Sequence, residues 1–87
     1  MSMKVTTMPN PFYTSVTIEV TCEQNKQIIV RMFDEGGKII KLLSWYIVKG
    51  SNITSINELS VLDNGHYFIE IIDNDGNLLF NTKLSKQ

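Results

Sequence analysis

The sequence predicts an all-β domain, a two-layer sandwich of about seven strands. One observation is compositional. The 87 residues include no alanine, the strongest helix former, but eleven Ile, six Val and seven Thr, whose branched side chains suit a pleated strand. A second is punctuation: Gly, Pro, Asn and Asp recur at short intervals and leave runs of about six to ten residues between them. A third is that several of those runs alternate apolar with polar, the two-residue period of a strand.

Taken in order, residues 4–8 form a short strand in an N-terminal extension of residues 1–8, and a single domain spans 9–87. Pro9-Asn10-Pro11 turns the chain. Val16, Ile18, Val20 and Cys22 then point one way and Thr17, Glu19 and Thr21 the other. Next, Ile28, Val30 and Met32 oppose Ile29, Arg31 and Phe33. The stretch from Lys38 to Val48 shows no clean period of two, and pattern alone admits a helix. Its β-branched and aromatic content, between glycines, favours one long or bent strand. Tyr67, Ile69 and Ile71 oppose His66, Phe68, Glu70 and Ile72, so this strand is apolar on both faces and is placed centrally. In the last strand Leu78, Phe80, Thr82 and Leu84 oppose Leu79, Asn81 and Lys83. Asp75-Gly76 takes positive φ at little cost, which makes 65–73 and 78–85 a hairpin. No internal repeat is visible in the sequence.

Length and charge restrict the function classes. At 87 residues one core is affordable and a second is not. Eight basic against nine acidic residues leave a net charge of -1 with a pI near 5.7, too little positive charge to track a phosphate backbone, so no nucleic-acid partner is expected. No run approaches the ~20 apolar residues of a membrane span, so membrane insertion is not expected either. The N-terminus lacks the apolar region of a secretory signal. Alone, the chain is expected to stay in the cytoplasm; export requires that it be the tail of a longer precursor.

The search for chemistry ends without a catalytic constellation. Cys22 is the only cysteine, which excludes an internal disulfide, and its register with Val16, Ile18 and Val20 makes it a buried thiol. His66 is the only histidine and has no Cys or His near it in sequence. Asp73-Asn74-Asp75-Gly76-Asn77 resembles a calcium loop but fails on spacing, because the glycine falls too early and position 12 is Leu84; it is a hairpin turn. Glu19, Glu23, Asp34 and Glu35 read as a solvated face. Asn52-Ile53-Thr54 satisfies the short glycosylation pattern. Trp45 and Tyr46 face opposite ways on a strand, so one of them could stack on a sugar or a partner. No enzyme activity and no cofactor are expected.

Leu62-Asp63-Asn64-Gly65-His66-Tyr67 is an L-x-x-G-x-Y string at a strand entry. It has the form of a tyrosine corner, with Leu62, Gly65 and Tyr67 structural: the ring enters the core and the hydroxyl reaches upstream backbone near 61–63. Around it stand Pro9-Asn10-Pro11-Phe12, then Ile28-x-Val30-x-Met32-Phe33-Asp34-x-x-Gly37-Lys38-Ile39-Ile40, Gly50-x-Asn52, and a closing Lys83-Leu84-Ser85-Lys86-Gln87. In this order, over about residues 9–87, the motifs resemble the type A C-terminal sorting domain of the type IX secretion system of Bacteroidota.

The resemblance implies an immunoglobulin-like, Greek-key sandwich at the end of a secreted cargo protein. It implies passage through the periplasm, recognition by the outer-membrane translocon, removal by a sortase-like peptidase, and a final place at the cell surface or outside the cell. It puts the sorting motifs on Pro9, Asn10, Pro11, Gly37, Gly65, Tyr67, Lys83 and Lys86. On that reading turn backbone, a sheet edge and the basic C-terminal strand dock on the translocon, and deleting Lys83–Gln87 abolishes export without unfolding the whole sandwich. The alternative is a generic immunoglobulin-like spacer, adhesion or accessory module of a surface protein, since fold does not specify function. The unpaired edges of an isolated sandwich also predict an edge-strand dimer.

Overall fold

The computed structural model describes residues 3–87, all in strands and their connections. One sheet holds β1 (Met3–Met8), β2 (Val16–Cys22) and β5 (Gly50–Ile56) in the order β1-β2-β5. The other holds β3 (Lys26–Asp34), β4 (Ile39–Ile47), β6 (Gly65–Asp73) and β7 (Leu78–Lys86) in the order β4-β3-β6-β7. All strand pairs are antiparallel, and the two sheets make the expected seven-stranded, immunoglobulin-like sandwich. Met1 and Ser2 of the expected extension lie outside the described residues. Residues 3–8 are β1, paired with β2 from Met3 opposite Cys22 to Met8 opposite Thr17.

The inward positions follow the alternation. Val16, Ile18, Val20 and Cys22 of β2 are buried against Ile28, Val30 and Met32 of β3 and Tyr67, Ile69 and Ile71 of β6. Full burial of such a side chain contributes about 1.5–3 kcal/mol. β6 is central, between β3 and β7, and its outward Phe68 stacks on Phe33 at 5.6 Å between ring centroids. The ambiguous stretch is a strand with a bulge: Met32 opposes Lys41 while Phe33 opposes Ile39, so Ile40 is an extra residue. An inserted residue reverses the alternation, which is why no period of two runs through Lys38–Val48. Beyond it Leu43, Trp45 and Ile47 turn to the core and Leu42, Ser44 and Tyr46 to solvent.

The larger sheet contains a repetition that the sequence conceals. Each hairpin turn begins with an Asp whose Oδ1 accepts two backbone N–H groups, from Gly36 and Lys38 to Asp34 and from Asp75 and Asn77 to Asp73, all at 2.9 Å. Each turn places a glycine at positive φ, Gly37 at 87° and Gly76 at 84°, where a side chain would be strained. Each is followed by the same bulge, at Ile40 in β4 and at Leu79 in β7. The second bulge leaves Leu78 exposed rather than on the inward face shared by Phe80, Thr82 and Leu84. Positions 39 apart are therefore equivalent, and the approximate twofold axis passes between the paired Arg31 and Glu70, whose side chains form an ion pair.

From β4 the chain crosses to the other sheet, and Asn52 closes that crossing. Its Oδ1 accepts the Val48 N–H at 2.9 Å, while Nδ2 lies 2.8 Å from the Val48 carbonyl and 3.2 Å from that of Val20. The amide thus substitutes for a neighbouring strand where Val48 has left β3. Cys22 Sγ donates to the same Val48 carbonyl at 3.1 Å and is buried. The side chain marked by the glycosylation pattern is already engaged in the fold.

Two outcomes follow. Asn52→Ala removes the partner of the Val48 N–H and leaves its carbonyl with the Cys22 thiol alone, and should lower stability by about 1–2 kcal/mol in urea melts, with Asn52→Asp in between because it keeps only the acceptor. The Asp73 carboxyl is held below its ordinary range, chiefly by the Asn77 backbone N–H, then the Asn77 side chain and the Asp75 N–H, with Lys26 adding to this. Its folded value lies below its unfolded one, so its contribution is present above about pH 4 and is lost as pH falls through the lowered value. Asp73→Asn should therefore flatten the acid limb of a stability–pH profile.

Candidate functional site

The expected sorting-motif residues lie toward one end of a sandwich 36 Å long. After Met8 the chain leaves the β1 sheet through Pro9-Asn10-Pro11, whose two X-Pro bonds are cis, and joins the other sheet at Phe12. The Phe12 N–H donates to the Ser85 carbonyl at 2.8 Å, and the Gln87 N–H donates to the Phe12 carbonyl at 3.0 Å, a short parallel bridge alongside β7. Asn10 Oδ1 accepts the Ser85 N–H at 3.0 Å. The proline motif and the closing strand are one structure, although 75 positions separate Asn10 from Ser85.

The tyrosine corner is built against this bridge. The Phe12 ring, with no exposed surface, meets the Tyr67 ring edge-on, centroids 5.9 Å apart and planes at 72°. Tyr67 Oη donates to the Asp63 carbonyl at 2.8 Å, at the upstream position expected of it. Leu62 packs on the core, and Gly65 opens β6 opposite Lys86. The 57–64 connection is anchored by buried Leu59, whose N–H reaches the Thr14 carbonyl at 2.9 Å. Gly37 arrives at the same end because its turn follows Asp34, which lies opposite Tyr67.

The two lysines have separate fates. Lys83 is exposed on the outer face. Lys86 is 7% exposed, and its Nζ donates to the Gln87 carbonyl at 3.0 Å. β7 runs through Lys86, and Leu84 is a core residue, so Lys83–Gln87 is no detachable tail: deleting it removes core and opens the bridge to Phe12. The segment is fastened into the sandwich, against the expectation that it can be deleted without unfolding it. A lysine in a sequence signals solvent by default, and nothing local announces that this one will be covered.

Beside the bridge lies a cleft of about 250 Å³ lined by Asp34, Glu35, Asp63, Gly65, His66 and Tyr67. Burial raises the Tyr67 phenol above its ordinary value, and the Asp63, Asp34 and Glu35 carboxylates raise it further. His66 is half exposed, with Nδ1 3.8 Å from Glu35 Oε2. Among the described residues no group of three or more His, Cys, Asp or Glu side chains is placed to hold a metal ion. Trp45 packs against the core and Tyr46 is exposed, both far from this end on β4. The asset of the motif end is shape: backbone edges, a fixed ring pair and placed carboxylates. Phe12 and Asn10 Oδ1, which hold it together, have no individual signal in the sequence beyond their place beside the prolines.

Phe12→Ala should cost about 3–5 kcal/mol in urea melts, the range of a fully buried aromatic. Tyr67→Phe removes only the hydroxyl and should cost about 1 kcal/mol, or roughly 4–8 °C in melting temperature. Because the folded phenol has a raised value, its contribution is present below about pH 10 and is lost as pH rises through that value, a slope that the Phe variant should lack.

No curated protein matches the chain in sequence. Among solved structures, a β-D-glucoside glucohydrolase from Trichoderma reesei aligns over 100% of this chain and 18% of its own, at 8% identity and a TM-score of 0.45. The chain spans under a fifth of that enzyme's length, and at that similarity the enzyme's activity has no bearing on it. A family model described as a secretion system C-terminal sorting domain matches residues 6–86, from within β1 to the end of β7. The chain belongs to the type IX secretion C-terminal sorting domain family, whose role is to send the protein that carries it to the cell surface or beyond.

Proposed function

We propose that the motif end of the folded sandwich is the surface read by the type IX machinery, and that it works by recognition, without catalysis. The observation that carries this reading is convergence. Pro9–Phe12, the Gly37 turn, the Leu62–Tyr67 corner and the end of β7 come from four separated parts of the chain and meet on one end. The opposite end carries the Asp73–Asn77 turn and the Asn52 crossing, but none of the prolines, the tyrosine corner or the end of β7. The translocon would meet Lys83, the cleft carboxylates and the exposed backbone of the 59–65 connection, with Lys86 held inside. Periplasmic transit and later removal by a sortase-like peptidase complete the proposal, and no nucleic acid takes part.

An export assay tests it. Residues 1–87 are placed behind a signal peptide and a fluorescent protein in a type IX-competent bacterium and in a translocon-deficient mutant. The expected result is reporter outside the competent cells and retained in the mutant. Asn10→Ala, which releases the Ser85 N–H, should reduce export about tenfold, while Asn74→Ala at the far turn should not. Retention of the unaltered fusion in both strains, or equal export of the two variants, would refute the reading.

A further inference from the structure

The approximate twofold of the larger sheet allows a comparison within one molecule, because β4 and β7 are equivalent edge strands. On β7, the Ser85 N–H and carbonyl and the Gln87 N–H face away from β6, and Asn10 and Phe12 take all three. Backbone direction repeats at every second residue of a strand. The 39-residue equivalence then puts Leu42, Ser44, Tyr46 and Val48 in the same orientation. Val48 agrees, since its N–H and carbonyl both meet Asn52. The backbone groups of Leu42, Ser44 and Tyr46 that face away from β3 meet no such cover among the described residues. β4 is the bare counterpart of a clasped strand.

Its surroundings are those of a receptor for a strand. A groove of about 170 Å³ runs between Lys41, Leu42 and Leu43 of β4 and Ser55 and Ile56 of β5, with Val30 of the core at its floor. Leu42 in its wall is 66% exposed, and Tyr46 further along β4 is 58% exposed. Edges left open in solution are commonly guarded by proline, by charge or by a bulge. Here β5 has no charged residue, and the guards of β4, the bulge at Ile40 and Lys41, lie at its start and leave Leu42 to Ile47 without charge or proline.

Charge selects the occupant. From Gly36 to Asn57 the sequence holds three lysines, Lys38, Lys41 and Lys49, and no carboxylate. Lys41 in the groove wall forms no ion pair among the described residues. Among the carboxylates outside this stretch, Glu70 is paired with Arg31, Glu19 on the outer face of the smaller sheet accepts a hydrogen bond from Ser51, and Glu58, next to the groove residue Asn57, is exposed. An antiparallel second copy centred on Ser44 would set Lys41 opposite Ile47 and offer it no carboxylate, so the charge pattern favours an acidic partner over self-pairing.

We propose that the β4 edge is a docking strand for an extended, acidic segment of a partner protein. The segment adds to the sheet through the backbone of Leu42, Ser44 and Tyr46, fills the groove with one apolar side chain, and sets a carboxylate against Lys41. The inference rests on the reading of the domain as a recognition module and gives it a second surface, away from the motif end.

The test is a titration of the isotopically labelled 87-residue domain with two synthetic octapeptides, one alternating valine with glutamate and one alternating valine with lysine. The glutamate peptide should shift the Leu42, Ser44 and Tyr46 amides and slow their hydrogen exchange, and should bind about tenfold more tightly than the lysine peptide. Lys41→Glu should reverse that preference. Ser44→Pro, which removes an outward donor while leaving the β3 ladder intact, should abolish binding. The proposal is overturned by binding of neither peptide, by equal affinity for both, by shifts confined to β1 or β7, or by a dimer in sedimentation that Ser44→Pro dissolves. The titration involves no secretion. Export of the unaltered fusion together with absent peptide binding would sink this inference and spare the other, and the reverse result would do the opposite.

Discussion

Phe12 is the point at which the chain leaves one sheet and joins the other, and the motif end is assembled against it. Both its backbone groups are satisfied by β7, and its ring is fully buried against Tyr67. A polypeptide that changes sheets must abandon one ladder of hydrogen bonds before it enters the next, and each buried group left unpaired in between is costly. Asn10 eases that passage by accepting the Ser85 N–H with its side chain. Asn52 performs the same service at the sheet change from β4 to β5, where its amide takes both polar groups of Val48. Two asparagines, one on each side of the sandwich, thus do what a neighbouring strand would otherwise do.

The larger sheet shows how a symmetric scaffold comes to have unequal sides. Two hairpins with matching Asp turns, glycines and bulges meet across Arg31 and Glu70, and the opposite charges at the axis suit two strands that must lie side by side. The asymmetry is added from outside that sheet. Residues 9–12 come over to β7 and cover part of its edge, whereas among the described residues nothing equivalent reaches β4. Recognition then becomes a matter of which edge is finished and which is left open.

Much of this was legible beforehand, and the rest was hidden for definite reasons. β2, β3 and β6 declare themselves because one face is buried and alternation survives along their length. The tyrosine corner was readable because its parts lie within six residues. β4 was blurred by Ile40, one apolar residue too many for the period. The twofold leaves no repeat in the sequence because it is carried by backbone geometry and by only a few shared residues, Asp34 with Asp73 and Gly37 with Gly76 among them. The burial of Lys86 and the bridge to Phe12 depend on pairing between distant segments, which leaves no local pattern to read.

The distance spanned by that bridge has a meaning in time. Asn10 and Ser85 are 75 positions apart, so at about 5–20 residues per second a ribosome makes the second some 4–15 s after the first. Closing so long a loop costs about 4 kcal/mol of chain entropy, which only an assembled core can offset. A nascent or shortened chain therefore holds the proline motif without holding the surface to which it contributes. The motif end comes into being last, and its presence certifies that the domain has been made whole.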